Sequence, residues 1–245
     1  KNVDTGMGLE RTLVALNGFK DVFEVDTFKP IIKKIEAIGA KRYEAGDSSP
    51  MARNDIRSGR IIADHLRTAT MIMGDDRGIA PSNVDQGYIV RRLIRRAIRH
   101  GRLLGITENF CAKISEEVIK IFADVYPEVE RNKKFVLSEI EKEENKFRKT
   151  LENGISDFRF QISDLKKGDC LSGKKAFDLY QSYGFPVEIT VELAKEKGLE
   201  VDVSGFNNEM KKHQNLSRAG AEQKFKGGLA DDSEISTRYH TATHL

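Results

Sequence analysis

Tryptophan is absent from this 245-residue sequence, cysteine occurs twice and proline five times. Cys111 and Cys170 stand far apart with no CxxC pair, which argues against a disulfide framework and against a self-contained cysteine zinc knuckle. A reducing, cytoplasmic setting is expected. No run approaches the roughly 20 apolar residues of a membrane span, and no charged-then-apolar leader is present, so no membrane partner is expected. An initiating Met is also missing, and the opening residues read as the interior of a longer chain. A large excess of charge of either sign is lacking as well. The net charge is +3, so affinity for nucleic acid must come from local clustering.

With 39% hydrophobic and 32% charged residues, the chain is polar but has enough apolar residues to build a core. Strand-like alternation is scarce and no internal repeat is found, so a mainly α fold with many exposed helices is expected. Helical spacing runs from Leu9 to Leu16. A second helix is bounded by Asp26 or Thr27 as cap and by Gly39 as stop. "YEAGDSSPMARNDIRSG", residues 43–59, reads as a polar surface connection. "RIIADHLRTATMIM" then gathers Ile61, Ile62, His65, Leu66, Ala69, Ile72 and Met73 on one face, with His65 read as a hydrogen-bonded core histidine. A loop precedes a basic helix from Tyr88 to near Gly105, and another helix is stopped by Pro127. The long charged helix that follows is read as a solvated face, with Glu144 and Arg148 a surface pair. "AFDLYQSYGFPVEITVELAKEKG" reads as helix, tight turn at Gly184 and Pro186, helix. Past Gly205 come a charged helix and a connector, "KFKGGLADDSE".

Three constellations bear on function. In "RRLIRRAIRHGRLLG", Arg91, Arg92, Arg95, Arg96, Arg99 and Arg102 fall within an arc of about 140° opposite Val90, Leu93, Ile94, Ala97, Ile98, Gly101 and Leu104. No acid lies between Gly87 and Ile106 to compensate them. A phosphate backbone suits such a face; the alternatives are acids from a neighbouring helix and contact with an acidic protein. In "VDTGMGLER", Gly6 and Gly8 allow close backbone approach, Asp4 suits an amine or a cation, and Arg11 at a helix start suits a phosphate. An ordinary strand-to-helix turn would look the same. "HTATH" puts His240 and His244 on one helix face, half of what a zinc site needs; the alternative is a chance spacing.

In this order the pieces resemble the alanyl-tRNA synthetases. "VDTGMGLER" resembles motif 3 of the class II enzymes. "RIIADHLRTATMIMGDDRGIAPSNVDQGYIVRRLIRRAIRHGRLLG" resembles the signature of the family's helical tRNA-recognition region, "AFDLYQSYGFPVEIT" its second recognition element, and "HTATH" the start of its editing domain. The resemblance implies the C-terminal edge of a class II α+β catalytic domain over 1–20 and a helical tRNA-recognition domain over 21–225. A connector over 226–238 and a truncated editing domain over 239–245 would follow. It further implies a ligase that activates alanine with Mg-ATP and esterifies tRNA(Ala). Asp4 would meet the alanine amino group, Arg11 an ATP phosphate, and His240 and His244 zinc. With the upstream motifs absent, these residues alone are not expected to form alanyl-adenylate.

The family reads a G·U pair in the tRNA acceptor stem. Asn83 matches one reader, and the arginine face would position the stem through its phosphates. The second reader is usually an aspartate, where this chain has Gln181. An amide accepts and donates whereas a carboxylate only accepts, so Gln181 is expected to keep the contact in weaker form, or Asp178 one turn earlier to compensate. The alternatives are a helical RNA-binding module without enzymatic parent and a piece of an editing hydrolase.

Overall fold

The computed structural model describes residues 7–39 and 50–224. The order is α1 (Leu9–Asn17), a short 3-10 turn (Val22–Glu24), α2 (Lys29–Ile38), α3 (Pro50–Gly74), α4 (Asp85–Leu103), α5 (Cys111–Phe122), α6 (Pro127–Arg131), α7 (Lys133–Gln161), β1 (Cys170–Leu171), α8 (Gly173–Tyr183), α9 (Val187–Glu196), β2 (Glu200–Val201) and α10 (Val203–Lys224). The expected mainly α architecture is what forms. β1 and β2 make one short parallel pair, Cys170 opposite Glu200 and Leu171 opposite Val201; no other strand occurs among the described residues. Of the expected catalytic-domain edge over 1–20, residues 7–20, which include α1, fall within them. The connector over 226–238 and the segment 239–245 lie outside.

The amphipathic patterns build one large core. Ile62, Leu66, Ala69 and Met73 of α3 meet Val90, Ile94, Ala97 and Ile98 of α4, with Ile114 and Val118 of α5 and Val136, Ile140 and Phe147 of α7 behind them. A second cluster, of Ala176, Phe177 and Phe206, fixes α10 on α8. Small residues set the closest approaches. A Cβ on Gly101 would stand 2.3 Å from the Phe110 ring, and one on Gly154 would stand 2.5 Å from the Phe185 ring.

Three sequence expectations are corrected here. Part of the supposed surface connection is helix: α3 begins at Pro50, a residue suited to a first helical turn. Ser58 is buried and its Oγ meets the His100 Nδ1 of α4 at 3.1 Å, so residues that resemble turn formers are small groups at a helix crossing. The cap of α2 is not Asp26 or Thr27. Phe28 precedes the helix without a side-chain cap, Pro30 sits in its first turn, and Asp21 caps the 3-10 turn by accepting from the Phe23 N–H at 2.8 Å. Finally, α7 is not a solvated face throughout. Glu144 is fully buried and accepts from the backbone N–H groups of Phe110 (3.1 Å) and Cys111 (3.0 Å), while Arg148 reaches it at 3.2 Å. The pair is thus the N-terminal anchor of α5.

Candidate nucleic-acid interface

The basic helix forms as the apolar stripe of its sequence demands, but its charged side is not an open comb. Glu188, Glu192 and Glu196 recur at i, i+4 and i+8 along α9 and zip against α4. Arg92 Nη1 meets Glu188 Oε1 at 2.7 Å, Arg96 Nε meets Glu192 Oε1 at 2.8 Å, and Arg99 Nη1 meets Glu192 Oε2 at 2.8 Å, with Arg99 Nη2 on Glu196. From α7, Glu143 receives Arg91 and Arg95, and Glu152 receives Arg102. Arg95 and Arg99 are only 2% and 3% exposed. The expected phosphate-facing surface is therefore corrected to an intramolecular ion-pair seam. The physical reason is that six like charges on one face need anions nearby, and two acidic helices of the same chain supply them.

One consequence of the seam lies at the turn between α8 and α9. Arg95 Nη1 donates to the Gly184 carbonyl. Gly184 itself has φ +69°, the left-handed conformation that closes α8 and that favours glycine. The buried guanidinium thus ties α4 and α7 to the segment carrying Gln181.

Asn83 approaches from the other side. Its loop is set by Ser82, whose N–H donates to the Gly87 carbonyl at 3.0 Å and whose Oγ donates to the Val84 carbonyl at 2.7 Å. Asp85, the first residue of α4, has a left-handed φ of 51°. Gly87 is required for the fit, since a Cβ there would stand 2.4 Å from the Ala80 carbonyl. Asn83 and Gln181 consequently line one cleft of about 740 Å³, together with Lys146, Tyr180, His213 and Gln214. Both are exposed, and among the described residues neither carboxamide has an intramolecular hydrogen bond. Lys146 is exposed and has no acidic partner among them. Asp178 is exposed on α8 but does not line the cleft. Sequence reasoning missed Lys146, Tyr180 and His213. Nothing in their local spacing marks them, because α7, α8 and α10 converge only in the folded chain.

Gly8 caps the start of α1, and Arg11 is exposed in the first turn, lining a cleft of about 510 Å³ with Glu10, Asp64, Arg67 and Thr68. Glu10 is engaged by Arg67, whereas Arg11 has no ion pair among the described residues. A free guanidinium beside a glycine at a helix start fits a phosphate. Asp4, Gly6, His240 and His244 lie outside the described residues, and no cluster of three metal-ligating side chains occurs within them. Cys111 is buried, which pushes its thiol pKa well up and removes it as a nucleophile at neutral pH. His65 is 8% exposed and bonded at both nitrogens, to Asp64 at 2.9 Å and to Arg96 at 2.8 Å. No described helix is long and apolar enough to cross a membrane.

The family described as tRNA synthetases class II (A) matches residues 1–244. The alanine-tRNA ligase of Borreliella afzelii (strain PKo) is 46% identical over 245 residues, covering 100% of this chain and 40% of that protein. That of Treponema denticola is 49% identical over 247 residues with the same coverage. That of Thermus thermophilus is 42% identical over 219 residues, 89% of this chain and 24% of that protein. The chain thus spans about 40% of the length of the first two relatives. These matches remove the reading of a helical module with no enzymatic kin.

Proposed function

The chain belongs to the class II (A) tRNA synthetase family, and from that membership we propose that it is the stem-recognising portion of an alanine-tRNA ligase. The whole protein would activate alanine with Mg-ATP and pass it to tRNA(Ala). Within this chain, Arg11 would hold an ATP phosphate and Gly8 would let the backbone come close to it. Asp4 would meet the alanine amino group with Gly6 beside it, and His240 and His244 would supply half of a zinc site. The portion's own task is to hold the acceptor stem.

The observation that carries this reading is the cleft that unites Asn83, from the approach to α4, with Gln181, from α8. Two unpaired carboxamides in one cleft can each donate and accept, as the mixed pattern of a base edge requires. An A-form minor groove is wide and shallow enough to admit them. Lys146 at the same cleft is placed to neutralise a phosphate, whereas Arg95 and Arg99 are committed inside the protein.

The test compares binding of two acceptor-stem hairpins, one with a G·U pair and one with G·C at that position. The G·U stem is expected to bind more tightly by about 1–3 kcal/mol, and Asn83→Ala to abolish the difference. Gln181→Asp is expected to widen it, because a carboxylate accepts more strongly from an exocyclic amine. Equal binding of both stems by the unaltered chain would defeat the reading.

A further inference from the structure

With the α4 arginines ion-paired to acids of α7 and α9, positive charge without an acidic partner among the described residues is found on α3. Arg53, Arg57 and Arg60 recur at i, i+4 and i+7 and continue through Asp64 to Arg67, one stripe of a single helix. Two of the four arginines are engaged. Arg67 pairs with Glu10 and lies over the Phe28 ring at 4.3 Å, and Arg60 pairs with Asp21 and lies over Phe23 at 5.1 Å. Arg53 and Arg57 are exposed and have no ion pair or hydrogen bond among the described residues. Together with Arg60, His65 and Arg96 they line an open cleft of about 610 Å³. The one carboxylate in its wall, Asp64, is already bonded to His65.

We propose that Arg53 and Arg57 form a second contact for the RNA, gripping backbone phosphates of the same molecule whose stem lies in the Asn83–Gln181 cleft; the assignment rests on that stem-binding reading. Two uncompensated guanidinium forks one turn apart match successive phosphate oxygens. The two clefts are joined by one stripe of α4. Tyr88 and Arg92 line the groove that also contains Asn83, and Arg96 lines the arginine cleft. Asp85 lies at the first cleft and His100 meets Ser58, the neighbour of Arg57; the stretch of α4 between them is roughly 22 Å long at the helical rise, a span that one duplex and its flanking strand bridge. The division of labour follows that of other nucleic-acid interfaces, in which backbone contacts position and base contacts specify.

The experiment titrates both hairpins against the chain and against Arg53→Ala/Arg57→Ala across a salt series. The double variant is expected to weaken both stems alike, on the order of tenfold, and to reduce the slope of log Kd against log salt by nearly two, about 0.9 for each phosphate no longer neutralised. Arg53→Lys/Arg57→Lys keeps the charge and is expected to keep the slope. Circular dichroism and a melting curve establish that each variant folds, and each single Ala variant carries about half of the change. A folded double variant with unchanged affinity and slope overturns the proposal, and does so alone if the G·U preference persists. Conversely, a chain without G·U preference whose slope still falls in the double variant loses the stem-recognition reading and retains this phosphate grip.

Discussion

Glu144 illustrates how far a single side chain can depart from its local pattern. Four positions before Arg148 on a charged helix, it has the spacing of a surface pair, yet it is fully buried with its two oxygens on the N–H groups of Phe110 and Cys111. Glu144→Ala would leave two buried donors at the start of α5 unpaired. The expected loss is on the order of 3 kcal/mol, read as a lower urea midpoint with an unchanged m-value. Arg95 teaches the same lesson. Periodicity states which side of α4 is charged, but the acids that cover that side come from α7 and α9. Their identity depends on tertiary packing, which no window of sequence contains. By contrast, Gly184 was legible as a turn because one backbone conformation and one residue type determine it.

At the scale of elements, the apolar faces of α3, α4, α5 and α7 were legible because each repeats at helical spacing. The N-terminal part of α3 was not, since Ser58 and Gly59 have the composition of a turn and pack as part of a helix. The candidate site divides in the same way. Asn83 and Gln181 were identified through resemblance, Lys146 and His213 emerge only where separate helices meet, and Arg53 and Arg57 of α3 lay in the stretch that reads as a surface connection. Gly87 links the two levels. Its missing Cβ lets residues 80–82 lie against the first turn of α4, and this seats Asn83. Gly87→Ala is expected to displace that loop and abolish discrimination between G·U and G·C hairpins. The salt-dependent part of binding, supplied from α3 and Lys146, is expected to persist. Retained discrimination in a folded variant would mean that Asn83 does not need this seat.

Across the whole molecule, the seam between α4 and α9 sets the response to acid. Burial pushes the Glu192 carboxyl up, but His100 and Arg96 outweigh it and hold the pKa at about 2. A folded-state value below the unfolded one means stability that is present above about pH 4.5 and is lost as the pH falls towards 2. His100, enclosed by Glu192, Arg96, Arg99 and Ser58, is held below its ordinary value by burial despite the nearby Glu192. Its protonation therefore favours the unfolded chain, and stability begins to fall as the pH drops below about 6.5. Denaturant midpoints measured from pH 7 to pH 2 are expected to decline in both windows. Glu192→Gln is expected to flatten the lower one, by roughly 2 kcal/mol after solvent screening.

The small cluster beneath α10 has a further consequence. Met210, His213 and Gln214 form one wall of the Asn83–Gln181 cleft, yet the helix that carries them is seated on α8 chiefly through Ala176, Phe177 and Phe206. Such a satellite cluster releases at a lower free energy than the main core. The cleft is thus an equilibrium property, and under the proposed function a stem would meet its complete form only in the fraction of molecules whose α10 is docked. Apparent affinity would be the intrinsic affinity multiplied by that fraction, so a residue buried away from the cleft, such as Ala176, would help to set how tightly the chain holds an RNA stem.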